Sequence, residues 1–236
     1  MKHFFQILIV LLIFGFMVMF SAFSANAAFL SPSAPPAVLL DSELPPDLFD
    51  DCDGGPSCPG SAFSDMPPVS HWSHLPIDWA LTRHIAAGAS ASSFRPGAGC
   101  TRAQAVTFLW RAAGSPEPQS TECPFEDVSP GAYYRKAVIW AKEQGITSGV
   151  SATRFGSAQL CKRAQIITFL WRAKGSPASG VTPGFQDVQA NDYYFNAVAW
   201  ALEHHITSGV SADSFGSGQT CTRAQIVTFL YQAHRS

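Results

Sequence analysis

The chain has 236 residues, of which 47% are hydrophobic and 14% are charged. This composition excludes a disordered, collagen-like or polyampholyte protein, and the length suits one large domain or two small ones. Fifteen Lys and Arg against seventeen Asp and Glu give a formal net charge of -2. Because no general basic surface follows from this balance, we expect no nucleic-acid partner.

Residues 1–27 have the order of a secretory signal peptide. Lys2 precedes an apolar run from Phe4 to Phe20, interrupted only by Gln6, and small residues follow up to Ala27. We predict export with cleavage after Ala27, although the run also just reaches the length of an uncleaved membrane anchor. No second apolar run of this length follows, so we expect no membrane span in the mature form.

Residues 28–62 are predicted to form a disordered, acidic linker. They hold six acidic residues, no basic residue and seven prolines, and proline resists both helix and sheet. Cys52 and Cys58 flank a turn-prone stretch and could close a small disulfide loop there. Residues 63–236 keep fourteen basic and eleven acidic side chains. The foldable part therefore carries a charge of +3, which makes an anionic partner plausible.

An internal repeat of about 60 residues dominates the rest of the chain. The three units span residues 63–116, 117–178 and 179–236. Each unit opens with Phe and an Asp two residues later, continues through a helical stretch centred on Trp79, Trp140 or Trp200, and closes with a second helix. Two short helices cannot bury a core alone. We therefore predict a mainly α-helical fold in which three helix-loop-helix units pack together as a bundle.

The sequence predicts where the second helix of each unit begins. Thr101 with Gln104 and Thr222 with Gln225 have the spacing of a capping box, whereas Lys162 weakens the box of the second unit. A cysteine precedes each cap, at positions 100, 161 and 221. Three equivalent thiols cannot all pair with one another. We interpret them as small buried apolar residues rather than metal ligands or redox groups, and predict neither a metal site nor a cofactor.

An arginine begins the second helix of every unit, where the helix dipole disfavours a cation by roughly 0.3 to 1 kcal/mol. Two interpretations stand open. Each arginine could form a scaffold ion pair with the aspartate that opens a unit. Alternatively, the guanidinium and the free N–H groups of the helix N-terminus could form an anion site. The residues concerned are Arg102, Arg163, Arg223, Asp65, Asp127 and Asp187.

Loop glycines and exposed aromatic residues are further candidates for a binding site. Gly88, Gly149 and Gly209 either need a positive φ angle or mark a close approach of ligand to backbone. The three repeated tryptophans fit the core better than a sugar platform, whereas Tyr133 and Tyr193, near a helix start, could stack on a ligand. In the first unit, three prolines and one extra residue before Trp79 predict a late start of the first helix.

Catalysis finds little support in the sequence. No HExxH motif, no glycine-rich phosphate loop and no repeated Ser-His-Asp or Cys-His arrangement occurs. A glycosidase needs two carboxylates with different roles, but the opening aspartate is the sole acidic residue repeated in all units. We therefore predict no catalytic residue, and a site repeated three times suits multivalent binding better.

The third unit contains FQDV and then YYFNAVAWALEHHITSGVSADSFGSGQTCTRAQIVTFLYQA. With its two counterparts it resembles the S-layer homology domain over residues 63–236. The resemblance implies a pseudo-threefold helical bundle whose grooves hold a secondary cell-wall polysaccharide, often pyruvylated, attached to Gram-positive peptidoglycan. It also implies that Arg102, Arg163 and Arg223 match the arginine of the family's TRAE motif, which contacts the acidic ketal of the glycan. Here the motif reads TRAQ or KRAQ, and we rank Arg223 first and Arg102 last.

The sequence thus predicts a non-enzymatic, exported protein that binds the cell wall through an acidic polysaccharide. The alternative is a surface scaffold for protein–protein interaction with degenerate glycan sites, and a wall-acting hydrolase ranks third. The predicted glycan-binding residues are Arg102, Arg163, Arg223, Asp65, Asp127, Asp187, Gly88, Gly149, Gly209, Tyr133 and Tyr193.

Overall fold

The computed structural model describes residues 54–236; the predicted signal peptide and residues 28–53 of the predicted linker lie outside this range. The described part is mainly helical, as predicted, and its β-structure is limited to isolated bridges. None of the described helices combines the length and apolar character needed to cross a membrane. Residues 54–236 contain six α-helices, which are α1 His74–Thr82, α2 Arg102–Ala112, α3 Arg135–Glu143, α4 Arg163–Ala173, α5 Phe195–Glu203 and α6 Arg223–Arg235.

The main helix contacts join different units. Helix α2 of the first unit packs against α3 of the second, α4 of the second against α5 of the third, and α6 of the third against α1 of the first. The three second helices, α2, α4 and α6, also contact one another. The last unit therefore closes back on the first, and the three units form one bundle with approximate threefold symmetry.

A ring of backbone hydrogen bonds marks the centre of this arrangement. The N–H of Cys100 donates to the carbonyl of Cys221 at 2.8 Å, that of Cys161 to Cys100 at 2.8 Å, and that of Cys221 to Cys161 at 2.9 Å. All three thiols are free and fully buried. Burial raises the pKa of each, to about 12 for Cys161 and Cys221. The thiols stay protonated and unreactive, which confirms the prediction that they act as buried apolar residues.

The helix caps also follow the prediction. The N–H of Gln104 donates to Thr101 Oγ1 at 3.3 Å, and the N–H of Thr101 donates to Gln104 Oε1 at 3.0 Å. The third unit repeats both bonds. In the second unit only the Lys162 N–H bonds to Gln165 Oε1, at 2.9 Å, because lysine offers no acceptor. The glutamine of the TRAQ motif therefore has a capping role in all three units.

The predicted late start of the first helix is wrong. Helix α1 begins at His74, five residues before Trp79, and α3 and α5 begin five residues before Trp140 and Trp200. Pro76 is the third residue of α1. A proline is tolerated there because N–H groups in the first turn have no partner within the helix.

Packed structure extends into the C-terminal end of the predicted linker. Residues Pro59–Ala62 form a 3-10 helix, and the buried N–H of Gly60 donates to Asp78 Oδ1 at 2.7 Å. Cys58 is disulfide-bonded, whereas its predicted partner, Cys52, lies outside the described residues. The described segment that begins at residue 54 thus packs onto α1 instead of behaving as a free linker.

Candidate functional site

Each repeated arginine reaches out of its own unit into a loop of the next. Arg102 of the first unit donates from Nε to the carbonyl of Phe155 in the second, at 2.9 Å. The units are therefore joined by the side chains that the sequence singled out. The equivalent bonds run from Arg163 to Phe215 at 3.0 Å and from Arg223 to Phe94 at 2.9 Å.

Two phenylalanine rings enclose each guanidinium. The Cζ atom of Arg163 lies 5.0 Å from the ring centroid of Phe215 and 5.2 Å from that of Phe229. Such contacts stabilise a cation by about 0.5 to 2 kcal/mol each. Burial lowers the pKa of Arg163, which is only 3% exposed, but arginine stays charged at neutral pH. The same sandwich surrounds Arg102 and Arg223.

The direct ion pairs proposed for these arginines do not form among the described residues, although the aspartate of the receiving loop raises the pKa of each arginine by its charge. Within residues 54–236 the salt bridges are His74–Asp78 and Lys136–Glu117, and neither involves one of these arginines. The opening aspartates instead hold the loop that receives the arginine. Asp187 accepts hydrogen bonds from the N–H groups of Phe215 at 2.8 Å and Ser217 at 2.7 Å. Asp65 and Asp127 hold their own loops in the same way.

The clamp formed by Asp187 predicts a pH-dependent contribution to stability. Burial raises the pKa of Asp187 and the hydrogen bonds from Ser217 and Phe215 lower it; the hydrogen bonds prevail, and the pKa falls to about 2. Because the folded pKa is depressed, this stabilisation is complete above the ordinary value of about 4 and is lost as the pH falls through 2. We expect Asp187→Asn to lower the free energy of unfolding at pH 7 by about 1 kcal/mol, allowing for solvent screening.

Urea unfolding of Asp187→Asn and of the unaltered chain between pH 2 and pH 7 measures this difference. It should shrink as the pH approaches 2. The exposed Asp213 of the same loop provides a matched control, and Asp213→Asn should leave the midpoint unchanged. A constant difference across the whole pH range would contradict this role of the Asp187 carboxylate.

The first two N–H groups of each second helix are not open to a ligand, so this part of the anion-site interpretation is wrong. The N–H of Arg163 donates to the carbonyl of Gln219 at 2.9 Å, and that of Ala164 to Ser217 at 3.2 Å. The other two second helices make the same bonds to the loop of the next unit. The guanidinium side chain is therefore the main candidate anion donor at each junction.

The donors of the three guanidinium groups are used to different extents. Arg102 Nη2 donates to Thr147 Oγ1 at 3.3 Å, and Arg223 Nη2 donates to the carbonyl of Ala87 at 2.6 Å. Among the described residues, no acceptor is hydrogen-bonded to either Nη group of Arg163. Arg163 borders a groove of about 570 Å³. A nearly buried guanidinium whose two Nη groups both lack an acceptor is suited to bidentate pairing with a carboxylate.

Side chains from all three units line this groove. Arg163 comes from the second unit, Thr207, Gly209 and Gln232 from the third, and Trp72 from the first. Trp72 is 56% exposed, so its indole face is available to a ligand. We name this groove the Arg163 groove.

The other two junctions are likewise built from residues of all three units. The pKa of Tyr193 is raised mainly by partial burial, while the nearby Arg172 and Arg102 lower it. The charge of Arg102 of the first unit therefore acts on Tyr193 of the third; we name this junction, with the loop of the second unit that receives Arg102, the Arg102 groove. The Arg223 groove is formed likewise by Arg223, a loop of the first unit and Tyr133. Both tyrosines are exposed, as predicted, whereas Trp79, Trp140 and Trp200 are buried in the core.

The loop glycines are required by packing. Gly149 and Gly209 have φ angles of +85° and +89°, whereas Gly88 has no positive φ. A Cβ atom at Gly149 would lie 2.5 Å from the ring of Phe125, and one at Gly88 would lie 2.4 Å from that of Phe63. The phenylalanine that opens each unit thus occupies the space that a larger side chain at the glycine position would need. Gly209 has this role and also lines the Arg163 groove.

Several groove residues were missed by the sequence analysis, although regular spacing could have identified them. Trp72 precedes Trp79 by seven residues, as Tyr133 precedes Trp140. Counting seven residues back from each core tryptophan therefore identifies Trp72 as the counterpart of Tyr133. Counting nine residues onward from each groove arginine finds the other missed positions, which are Arg111, Arg172 and Gln232.

One group of metal-ligand side chains occurs in the described part. Ligand atoms of Cys58, His74 and Asp78 lie within 4.8 Å of one another. Cys58 is disulfide-bonded and so presents no thiolate to a metal ion. This group belongs to the contact between the 3-10 helix and α1.

Comparison with known proteins identifies the repeat. The family model described as the S-layer homology domain matches residues 62–106, 124–167 and 184–227. The chain is 31% identical over 115 residues to a "Cell surface protein" of Thermoanaerobacter kivui, covering 47% of this chain and 15% of that protein. It is 30% identical over 101 residues to the "Surface-layer 125 kDa protein" of Lysinibacillus sphaericus, covering 43% and 8%.

A longer alignment joins the chain to an "S-layer protein" of Bacillus thuringiensis subsp. finitimus. The two are 24% identical over 178 residues, which cover 72% of this chain and 21% of that protein. The match to each of these three relatives spans about a fifth of the relative's length or less.

Proposed function

The chain belongs to the S-layer homology domain family, and on that premise we propose that it anchors itself at the surface of a Gram-positive cell. It does so by binding an acidic secondary cell-wall polysaccharide, attached to peptidoglycan, in its inter-unit grooves. The protein is exported and acts by binding, without catalysis. Its relatives with surface-layer names support the cell-surface location.

The state of Arg163 carries this proposal. A charge that is 3% exposed needs compensation, and among the described residues no carboxylate lies within salt-bridge distance of it. Two phenylalanine faces, one carbonyl and the more distant charge of Asp187 meet part of this need. Both Nη groups remain open at the groove. A carboxylate such as that of a pyruvyl ketal would complete the site, because it matches the planar guanidinium fork.

The exposed aromatic side chains support a sugar as the carrier of that carboxylate. Each groove places Trp72, Tyr133 or Tyr193 beside its arginine. A flat ring binds the apolar face of a pyranose, and the polar tip of a tyrosine can bond to hydroxyl groups. Three grooves on one bundle would bind one polymer at several points, so that modest affinity at each groove gives firm attachment.

Replacement of Arg163 by alanine tests the proposal. Losing a hydrogen bond to a charged group costs about 1.5 to 3 kcal/mol, so we expect affinity for sacculi carrying the polysaccharide to fall about 10- to 100-fold. Arg163→Lys should also bind weakly, because lysine keeps the charge and loses the fork. Sedimentation of the full chain with sacculi from the organisms of the S-layer relatives measures the affinity.

Lys142→Ala is the matched control, because Lys142 is an exposed cation of the same unit and lies outside the lining of the Arg163 groove. The control variant has the same net charge as Arg163→Ala, and we expect it to bind sacculi like the unaltered chain. Circular dichroism establishes that each variant is folded. Unchanged binding by folded Arg163→Ala and Arg223→Ala would refute the glycan-site assignment.

A further inference from the structure

The three grooves differ at one position of the second helix. Nine residues after the groove arginine stand Arg111 in the first unit and Arg172 in the second, but Gln232 in the third. Arg172 donates from Nη1 to the carbonyl of Ile146 at 3.1 Å, which places its guanidinium at the loop of the second unit. Helix α4 thereby adds a second cation to the Arg102 groove.

The Arg223 groove gains a second cation in the same way. Arg111 and Ala87 line one cavity of about 560 Å³, and the carbonyl of Ala87 accepts the bond from Arg223 Nη2. Tyr133 lies within electrostatic reach of both Arg111 and Arg223. These two grooves thus combine an arginine pair with a tyrosine.

The Arg163 groove has a different chemistry. Gln232 replaces the second arginine and Trp72 replaces the tyrosine, and both line the groove with Gln225 and Thr228. Its single guanidinium is the one with both Nη groups open. The guanidinium can pair with one carboxylate through its two unpaired Nη groups. The flat indole can pack against a sugar ring, and the amide side chains can bond to hydroxyl and N-acetyl groups without adding charge. This combination suits a sugar residue with one carboxylate.

We propose that the grooves are specialised. The Arg163 groove selects a sugar residue with one carboxylate, through Arg163, Trp72 and Gln232. The Arg102 and Arg223 grooves bind two negative charges of the polymer through the pairs Arg102 with Arg172 and Arg223 with Arg111. This inference rests on the proposed function and adds that the grooves are not interchangeable.

Salt dependence separates the two kinds of groove. Attraction between exposed charges is screened at high ionic strength, whereas stacking and hydrogen bonding depend on it less. For Arg111→Gln with Arg172→Gln, we expect about 10-fold weaker binding to sacculi at 50 mM NaCl and little difference from the unaltered chain at 500 mM. For Trp72→Ala we expect a similar loss at both salt concentrations. Gln232→Arg should make the salt dependence steeper.

The outcomes distinguish this inference from the proposed function. If the unaltered chain does not bind the sacculi, both fail. If it binds but the Arg111 and Arg172 substitutions leave its salt dependence unchanged, or if Trp72→Ala binds normally, the specialisation is refuted and the anchoring function stands. None of these variants removes Arg102, Arg163 or Arg223, and thermal unfolding establishes that each is folded.

Small-molecule probes test the selectivity of the Arg163 groove directly. Titration with glucuronate should shift the NMR signal of the Trp72 indole N–H, and neutral glucose should not. Arg163→Lys should abolish the shift, because it keeps a cation but loses the fork. An equal response to glucose and glucuronate would overturn the carboxylate selectivity.

Discussion

A chain that ends at residue 178 should lose its cooperative unfolding transition, even though two complete units remain. Helix α1 of the first unit packs against α6 of the third, so the truncation exposes the apolar face of α1. It also removes Arg223, which bonds to the carbonyls of Phe94 and Ala87, and opens the ring of cysteine backbone hydrogen bonds. Buried N–H and C=O groups left without partners are costly. Urea unfolding followed by circular dichroism measures the loss.

A milder variant tests the same closure without removing residues. The ring of Trp79 in α1 lies 5.6 Å from that of Tyr231 in α6, and Trp79 is 3% exposed. We expect Trp79→Ala to cost about 3 to 5 kcal/mol and to lower one shared transition. The exposed Trp72 is the matched control, and Trp72→Ala should leave the midpoint unchanged. A cooperative transition in the truncated chain would show that the units fold independently, contrary to the closed bundle.

The sequence predicted the features that depend on short-range order. The period of the repeat and the helical spacing around Trp140 and Trp200 predicted the helices, and the threonine and glutamine spacing predicted the caps. The equivalent positions of the cysteines correctly predicted free, buried thiols. These features are set within one unit, where the neighbours of a residue are known from its position in the chain.

The partners across units could not be predicted, because they depend on how the bundle closes. Nothing in the spacing indicates that Arg223, near the end of the chain, bonds to Phe94 in the first unit. The predictions of direct ion pairs and of open N–H groups at the helix N-termini were wrong for this reason. Backbone groups of the next unit occupy the positions that a carboxylate or an anion would have taken. The predicted late start of α1 was wrong because Pro76 lies in the first turn.

The candidate site was predicted in part. Arg163 and Tyr193 do lie at grooves, whereas Asp187 and Gly149 shape the loops. The composition of each groove from three units could not be derived from one unit. Because each groove takes its side chains from three units, every groove has its own combination of side chains despite the repeat. This difference is the basis for the proposed specialisation.

Removal of the secondary polysaccharide from the wall should have the largest effect on binding. If three grooves engage one polymer, the overall affinity exceeds that of a single groove by about 10² to 10⁴. Stripping the polymer removes all three contacts at once, whereas one arginine substitution removes one. Pelleting should therefore fall to background, and not merely weaken. Peptidoglycan without the polymer serves as the control surface.

The most direct test is sedimentation of the unaltered full chain with sacculi before and after chemical removal of this polysaccharide. We expect the protein to pellet with untreated sacculi and to remain in the supernatant with stripped ones. Equal pelleting with both would contradict this expectation and indicate peptidoglycan itself as the ligand. No pelleting with either would contradict it as well and favour a scaffold for other surface proteins.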